Sequence, residues 1–463
     1  MPKGFTLPEV LIDLVLFSAI AIAIFSSLIF LQRSINLAKL KIQAVELANQ
    51  KIEELRNLPY DSLSTQQGTI YPPGQIPDTQ TVSIGNTTFT VQTIIKYVDD
   101  PYDGNSSGTI SGKPQDFYPY DYKKAEVKIT VPGELSILAN LTTNMAAKAA
   151  ETATNTGILS LKVLNSGGQA FANAQVAITN SNPNPAVNIQ TFTDTQGLVV
   201  VPLLPPDDEN GYHIVTTAVG NSTDSTNPAT PQHRYPVQPD LNILAQQVVN
   251  QTLSIDALAG FNLIVKDQSD TVLPNVPIVI TSNKLTYTDP VVYKYQQSFS
   301  SNSQGAINNQ SMEWDSYSLT TQNPYIISAV YPYQPVAVNA GSTTEAIIFI
   351  TTSGTAPTLS KTEPLTAANN EPSILTFTGA NFALSGASVK LTYEIPPIPT
   401  PTPTGGFDYN DILGTEITVT PDHQELSATF DFTNKMPGTW SIRITNPNGE
   451  FVKQPNGITI TVP

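Results

Sequence analysis

Two carboxylates, Glu9 and Asp13, carry the only side-chain charges in an apolar run that extends from Phe5 to Leu31. A short polar leader of four residues precedes this run and ends at the small residue Gly4. A secretory signal peptide is cut after its apolar stretch, at small residues. Here the expected cut lies before the apolar stretch, so that stretch stays on the mature protein. An isolated acid in hydrocarbon costs about 2.5–3.5 kcal/mol on insertion scales, so Glu9 requires a partner.

The string Gly4-Phe5-Thr6-Leu7-Pro8-Glu9 resembles the prepilin leader of type IV pilins and the related pseudopilins. The resemblance implies that a membrane peptidase cuts after Gly4 and methylates the new amine of Phe5. It also implies that Glu9 of one subunit meets this amine on a neighbouring subunit inside a filament. Breaking one partner of a buried pair costs about 3–5 kcal/mol, which makes Glu9 a candidate assembly residue. An uncut signal-anchor helix is the alternative, but it gives no reason for Glu9.

Asp13 departs from the family pattern, which usually has an apolar residue at this place. Positions 9 and 13 are four residues apart, so they share one face of a helix. One interpretation places Asp13 in solvent near the membrane surface, and this is the favoured one. The other makes it a second assembly residue that contacts a neighbour's amine or a basic residue of another subunit.

The composition favours an extracellular protein made of several domains. The chain has 463 residues, 22 Lys and Arg against 38 Asp and Glu, a net charge of -16 and no cysteine. This length predicts three or four domains, and the charge disfavours binding to nucleic acid, since the clearest basic feature is the small pair Lys123-Lys124. The low share of charged residues and the abundance of uncharged polar ones are typical of secreted β-sandwiches. Without cysteine, no disulfide holds any domain.

One long helix is predicted to begin the mature chain, and we assign it residues 5–57, with Pro59 ending it. Its first half suits a bilayer of about 30 Å. Its second half repeats apolar residues at steps of three and four, which predicts one stripe that packs under a β head. The members of this stripe are Ile35, Ala38, Ile42, Val45, Ala48, Ile52 and Leu55.

A small β head is predicted over residues 58–150. Thr81–Ile84 and Thr87–Val98 alternate like paired strands around Gly85-Asn86, which predicts a hairpin with a type II′ turn. Asp121–Val131 is interpreted as the closing strand. The acidic stretch from Asp99 to Asp103 is interpreted as a plain turn, and calcium binding there stays an open alternative.

The rest of the chain is predicted to form three β-sandwiches. Residues 157–256 and 257–353 resemble two carboxypeptidase-regulatory-like (prealbumin-like) repeats, with a clear turn at Asp194-Thr-Gln-Gly197 and a degraded one at Ser303-Gln-Gly305. Residues 355–463 resemble an IPT/TIG immunoglobulin-like domain, in which Trp440 is expected in the core beside Ile442 and Ile444. A loop rich in proline and threonine, residues 395–406, is expected to be a solvated insertion. Such resemblances say little about function.

No catalytic constellation is found, so we expect no enzyme and no cofactor. The three histidines, His213, His233 and His423, lack the spacing of metal ligands. The acidic run Asp207-Asp-Glu209 is expected to be an exposed turn. Aromatic residues are frequent in the second repeat, where packing is the favoured role and binding of sugars or a protein is the alternative. They include Tyr287, Tyr293, Tyr295, Trp314, Tyr325, Tyr331 and Tyr333.

Together these features predict an α+β protein with a long N-terminal helix on a small antiparallel head, followed by three sandwiches. The leading functional hypothesis is a minor or tip subunit of a type IV pilus or related filament. Its location is then the cytoplasmic membrane, by a single span, before assembly and the cell surface afterwards. The resemblance implies other pilin subunits, a prepilin peptidase, an assembly platform and an ATPase as partners, with membrane lipid before assembly. A pilus-borne adhesin that binds a surface or glycan, and a type II secretion pseudopilin, are the alternatives.

Overall fold

The architecture of the protein is described from a computed structural model. It describes residues 7–104, 110–114, 116, 120–132, 136–147, 155–394 and 407–463, and the side chains of the first helix from Leu14 onward. The fold is α+β, as predicted, with a single long helix ahead of a series of antiparallel and mixed sheets. The chain packs as two compact units, Met1–Val163 with Ala170–Thr216 and Asp240–Leu253, and Leu164–Gln169 with Thr217–Pro239 and Ser254–Pro463.

The helix and the head confirm the main prediction for the N-terminal part. Helix α1 spans Leu7–Arg56, and a 3₁₀ turn at Tyr60–Ser62 follows Pro59. A four-stranded sheet in the order β1-β2-β3-β4 packs on the second half of α1. Its strands are β1 Thr79–Ile84, β2 Thr87–Val98, β3 Tyr122–Thr130 and β4 Ala139–Ala146. The predicted hairpin forms, since Ile84 pairs with Thr87 and Gly85 takes a φ of 58°.

The predicted closing strand of the head is in fact an interior strand. β3 pairs with β2 on one side and with β4 on the other, so β4 is the edge. The segment of β4 has mostly polar and small residues, and its burial alternates because only one of its faces lies on the helix. A strand of this kind lacks the β-branched run by which β2 and β3 were recognised.

The region 157–256 forms two sheets, β12-β5-β8 and β7-β6-β9, with β11 on β9. Strand β5 is buried almost throughout, with Leu159, Leu161 and Val163 fully enclosed. The strands of this region are β5 Gly157–Leu164, β6 Gln175–Asn180, β7 Val187–Phe192, β8 Leu198–Leu204, β9 Asp207–Thr217, β10 Asp224–Ser225, β11 Leu241–Ile243 and β12 Val248–Ser254.

In the region 257–353, a core of apolar residues lies between two larger sheets. One of these is the sheet β17-β14-β19-β21, and β15 and β16 form a separate ribbon. The strands are β13 Ala259–Asp267, β14 Pro277–Ser282, β15 Leu285–Thr288, β16 Val291–Tyr293, β17 Gln296–Ser300, β18 Ala306–Met312, β19 Asp315–Thr321, β20 Ile326–Tyr331, β21 Val336–Val338 and β22 Thr343–Thr351.

The last region continues one sheet of the region before it. An eight-stranded sheet runs β18-β13-β22-β20-β23-β25-β29-β28, and a five-stranded sheet, β24-β31-β30-β26-β27, accompanies it. Trp440, Ile442 and Ile444 are fully buried, as predicted. The strands are β23 Thr358–Glu363, β24 Thr366–Ala368, β25 Pro372–Ala380, β26 Ser388–Tyr393, β27 Ile412–Leu413, β28 Thr415–Val419, β29 Glu425–Asp431, β30 Gly438–Thr445 and β31 Phe451–Thr461. The loop 395–406 lies outside the described residues.

The two predicted repeats share one turn geometry. In the first, Asp194 Oδ1 accepts hydrogen bonds from the amides of Gln196 and Leu198 at 2.8 and 2.9 Å. In the second, Asn302 Oδ1 accepts them from Gln304 and Ala306 at 2.9 Å each. The second turn is therefore intact rather than degraded, because an asparagine oxygen replaces the aspartate oxygen.

Candidate functional site

The second half of α1 has one face that the head covers. Ala44, Leu47, Ala48, Ile52 and Leu55 are buried there against the inner face of the sheet. At the end of the helix, Arg56 Nη2 donates a hydrogen bond to Thr143 Oγ1 on β4 at 2.9 Å. Burial of these side chains removes apolar surface from water and so attaches the helix to the head.

A second apolar face of the same helix segment stays exposed. Ile35, Ala38, Ile42 and Val45, here called the outer stripe, lie outside the area that the sheet covers, and Ile42 and Val45 are 60% and 41% exposed. The prediction of one buried stripe was therefore wrong for these four residues. The apolar positions occupy two adjacent arcs of the helix circumference, and a four-stranded sheet covers only one of them.

From Leu14 to Leu31, helix α1 is exposed and apolar on all sides. From Leu14 to Leu31 nearly every side chain faces outward, including Phe17, Phe25 and Phe30. Within the described part of the chain, this is the one helix that is long and apolar enough to cross a membrane. A helix that is apolar all round is buried in lipid or among other helices.

The predicted processing residues Gly4 and Phe5 lie outside the described residues. The predicted assembly residues Glu9 and Asp13 fall within the span of α1, and their side chains lie outside the description. Their roles therefore stay predictions. The outer stripe and the exposed first half of α1 are what the structure adds to this candidate assembly surface.

A buried lysine stands where the helix meets the head. Lys123 on β3 is 2% exposed, and its Nζ donates to the carbonyl oxygen of Tyr60 at 2.9 Å. The ammonium lies 4.6 Å and 5.3 Å from the ring centres of Tyr60 and Tyr97, a cation–π arrangement. Burial lowers the pKa of Lys123 to about 8, while the charge of Asp61 acts in the opposite direction. Lys123 therefore does not belong to a basic surface patch, in keeping with the expectation that the chain has none here.

The acidic stretch from Asp99 to Asp103 and the histidine His213 both make hydrogen bonds within the fold. Asp100 Oδ1 accepts a hydrogen bond from the amide of Tyr102 at 3.1 Å, which is turn geometry. The Nδ1 of His213 lies 2.9 Å from Asp240 Oδ1. Across the described ranges there is no group of three or more metal-ligating side chains.

Asp207 corrects the prediction of an exposed turn. It begins β9, is buried, and its Oδ2 accepts hydrogen bonds from Asn180 at 2.6 Å and Asn182 at 2.8 Å. Burial alone raises the pKa of this carboxyl, but the bonds from Asn180, Glu209 and Asn182 outweigh it and hold the pKa below its usual value. The carboxylate therefore ties neighbouring strands together.

A small polar cavity opens beside the β15–β16 ribbon. Its volume is about 140 Å³, and polar side chains from three segments line it, among them Asp224, Asn227, Gln238, Thr286 and Lys294. The Oε1 of Gln238 is buried and has no hydrogen-bond partner in the structure. Sequence reasoning did not find this cavity, because its lining residues are far apart in the chain and match no motif.

The aromatic residues of the second repeat divide into two groups. Tyr295 packs against the core, and the ammonium of Lys284 lies 3.1 Å from the ring centre of Trp314. Tyr293, on β16, is exposed. Packing was thus the right expectation for Tyr295, whereas much of the Tyr293 side chain is exposed.

No protein-family model matches the chain, and no curated protein matches it. Among solved structures, the Bacillus anthracis TIE protein is 10% identical over 83% of this chain and 72% of its own, with a TM-score of 0.18. Shaft pilin SpaA from Lactobacillus rhamnosus GG is 13% identical over 42% of this chain and 98% of its own, with a TM-score of 0.17. A streptococcal ancillary pilin is 14% identical over 49% and 75%, with a TM-score of 0.21. TM-scores this low carry no argument, so the functional reasoning rests on the residues themselves.

Proposed function

We propose that this chain is a structural subunit, minor or at the tip, of a type IV pilus or a related filament. A prepilin peptidase cuts it after Gly4 and methylates Phe5, and α1 then assembles side by side with the helices of other subunits. The observation that carries this proposal is the outer stripe, an apolar surface on a part of the helix that a membrane does not reach.

The distances along α1 support this argument. At about 1.5 Å per residue, Ile42 lies roughly 50 Å along the helix from Leu7. The hydrocarbon core of a bilayer is only about 30 Å thick. Lipid can therefore cover the first half of α1, whereas Ile42 and Val45 stand above it. Helices of neighbouring subunits are the natural cover for both halves, because each subunit offers the same apolar surface along its whole length.

Glu9 sets the register of this packing in the proposal. Its carboxylate meets the Phe5 amine of a neighbouring subunit, which removes an isolated charge from hydrocarbon. Before assembly the protein is held in the cytoplasmic membrane by a single span, and afterwards it is exposed on the cell surface. An assembly platform and an ATPase complete the set of partners. The chain carries a four-stranded sheet and further β-sandwiches after α1, and domains of this total size favour a minor or tip position because they crowd a filament.

The replacement Glu9→Leu tests the proposal. We expect the chain to reach the membrane and to be absent, or at least tenfold depleted, from sheared surface filaments. Glu46→Leu, which changes an exposed glutamate on the same helix outside the apolar run, is the matched control and should assemble. N-terminal mass analysis of both chains reports cleavage and methylation separately. Normal incorporation of the Glu9→Leu chain would refute the role of Glu9.

Immunogold imaging of labelled filaments separates a pilus subunit from a secretion pseudopilin. Long surface fibres that carry the label favour the pilus, whereas secretion that fails without any visible fibre favours the pseudopilus. The adhesin alternative, in which the distal sandwiches bind a surface or glycan, is compatible with a place in the filament.

A further inference from the structure

Three cations lie side by side on the outer face of the five-stranded sheet of the last region. Lys390 on β26 is directly opposite Arg443 on β30, and Arg443 is directly opposite Lys453 on β31. The residues next to them along the strands, such as Val389 and Ile444, are buried, so the three cations point away from the core. They form a line across three strands, here called the cation row, in which neighbouring strands are about 4.7–4.9 Å apart.

The cation row is unusual in a chain whose net charge is -16. Like charges that lie directly opposite each other destabilise a sheet, and the core does not require charged side chains on the outer face. The next pair on the same face of β26 and β30, Ser388 with Thr445, is uncharged. The row therefore concentrates positive charge at a place where the fold alone gains nothing from it, which indicates a role in binding.

Carboxylates neutralise the two ends of the cation row. Lys390 Nζ lies 2.8 Å from Asp411 Oδ2, and Lys453 Nζ lies 2.7 Å from Asp270 Oδ2. Asp270 is shared with Lys266, whose Nζ lies 3.7 Å from its Oδ1. The side chains of Lys390 and Lys453 are 41% and 32% exposed, and exposed ion pairs contribute little to stability. An incoming anion can therefore replace either carboxylate.

Arg443, at the centre of the cation row, has no carboxylate partner among the residues that the structure describes. Its guanidinium carbon lies 3.7 Å from the ring centre of Phe451, so the ring covers one face of the guanidinium. Glu450, which precedes Phe451, instead accepts hydrogen bonds from the hydroxyls of Ser353 and Thr355. Stacking leaves the N–H groups at the edge of the guanidinium able to donate two parallel hydrogen bonds to one carboxylate. A planar oxyanion is the group that fits this geometry.

The spacing of the cation row distinguishes between classes of polyanion. Side chains on one face of an extended peptide repeat every two residues, or about 6.6–6.8 Å. The phosphates along one strand of a DNA duplex follow one another at about 3.4 Å along its axis. Neither distance equals the separation of neighbouring strands in a sheet, about 4.7–4.9 Å, whereas one sugar ring has a comparable length. A linear polysaccharide with one anionic group on each sugar unit therefore matches the row.

We propose that the cation row binds a linear acidic polysaccharide. The carboxylate of one sugar unit binds Arg443, and the carboxylates of the adjoining units bind Lys390 and Lys453, whose aspartate partners turn to solvent. The row gives the adhesin alternative a surface and a ligand class. As a source of surface adhesion it rests on the proposed filament function, whereas binding by the purified chain does not.

The test measures binding of the purified full chain, in detergent, to immobilised polygalacturonate, which carries one carboxylate on each sugar unit. Fully methyl-esterified polygalacturonate has the same backbone without the charge and is the control ligand. We expect saturable binding to the acid form, weakened by added salt because salt screens exposed charges, and no binding to the ester. Polyglutamate and single-stranded DNA, compared at equal concentrations of anionic groups, should bind at least tenfold more weakly.

Variants of two basic residues locate the site. Arg443→Gln should weaken binding at least tenfold, and Arg443→Lys, which keeps the charge but loses the planar pair of donors, should recover only part of it. Lys361→Gln removes an exposed charge of the same sign from β23 in the same region and should bind like wild type. Circular dichroism of each variant confirms folding, and Arg443 is exposed, so its replacement leaves the core intact.

The absence of saturable binding to polygalacturonate overturns the proposal, and so does equal binding to its methyl ester. Binding that Arg443→Gln retains, or an equal loss in Lys361→Gln, refutes the cation row as the site. Tighter binding to polyglutamate or DNA contradicts a polysaccharide as the ligand. The Glu9→Leu chain separates the two proposals, since it should lose assembly and keep binding as a purified protein. A wild-type chain that assembles but does not bind polygalacturonate refutes this inference and leaves the filament function standing.

Discussion

The ammonium of Lys123 donates a hydrogen bond to the carbonyl oxygen of Tyr60 at 2.9 Å, and so joins β3 to the turn at which the long helix ends. This places a charge inside the junction between helix and head. Lysine is almost never fully buried in proteins unless it is paired, and the titration of Lys123 makes the stability of the head depend on pH.

The first prediction concerns this pH dependence. The pKa of Lys123 is lowered to about 8 in the folded head, from 10.5. Between these values the unfolded chain binds more protons than the folded one, so the free energy of unfolding rises with pH. Hydrogen exchange of β2 and β3 should therefore show wild type gaining protection relative to Lys123→Met between pH 8 and about 9.5. Below pH 8 this gain is absent, because the lysine is charged in both states.

Lys124→Met is the control for this experiment. It removes the next lysine on the same strand, whose side chain points to the other face of the sheet. A pH response in Lys124→Met equal to that of Lys123→Met would contradict the assignment. Comparison of each variant with wild type at the same pH cancels the intrinsic pH dependence of exchange.

The second prediction tests the outer stripe. Ile42→Asp puts a charge on an exposed apolar surface that the head does not cover, so the head should keep its fold. In the filament the same charge would be buried between helices, at a cost of several kcal/mol. We expect at least a tenfold loss of incorporation into sheared filaments. Asn36→Asp introduces the same residue on another face of α1 and should assemble normally. Equal incorporation of both variants would exclude the outer stripe from the interface.

The third prediction concerns the turn at Asn302. Asn302→Ala removes an oxygen that accepts two backbone hydrogen bonds, and a net value of roughly 0.5–1.5 kcal/mol each gives a loss of about 1–3 kcal/mol. Asn302→Asp keeps the acceptor, as Asp194 does in the first repeat, and should retain most of the stability. Urea titration with hydrogen exchange at β18 measures the difference. A similar loss in both variants would show that the oxygen is not the stabilising feature.

The fourth prediction concerns His213. Its hydrogen bond to Asp240 raises the pKa of the imidazole above 6.5, against the effect of burial. A group with a raised folded pKa contributes stability that is fully present below its unfolded pKa and is lost as the pH rises through its folded pKa. Exchange at β9 should therefore show wild type better protected than His213→Gln at pH 5.5, with the difference shrinking by about pH 8.

His233→Gln serves as the comparison for this histidine, since His233 packs on the ring of Tyr287 at 4.9 Å between ring centres. The two replacements are chemically identical. Protection at β9 that changes with pH in the same way for both would rule out the pair of His213 and Asp240 as the cause.

Local patterns in the sequence determined the long helix, the hairpin around Gly85 and the burial of Trp440. Each depends on residues close together in the chain: a period of three to four, a glycine able to take positive φ, and alternation along one strand. The motif at Gly4 to Glu9 is of the same kind, and so are the predictions for processing and assembly drawn from it. The turn at Asn302 was recognised at Ser303-Gln-Gly305 but interpreted as degraded, because the sequence pattern required an aspartate whereas the geometry requires only an oxygen.

Only the tertiary structure decided which apolar residues of α1 are covered, that Asp207 is buried, and that Gln238 meets Asp224 and Lys294 at one cavity. Periodicity places Ile42 and Ala48 on a helix equally well, but the width of the sheet determines that Ala48 is buried and Ile42 is not. Likewise, the polar run at Asp207 suggests an exposed turn in the sequence. In the fold its carboxylate is buried, because the side-chain amides of Asn180 and Asn182 lie next to it and donate hydrogen bonds. Contacts between residues distant in the chain leave no local pattern, and these contacts decide which face of α1 is covered and which groups bind the carboxylate of Asp207.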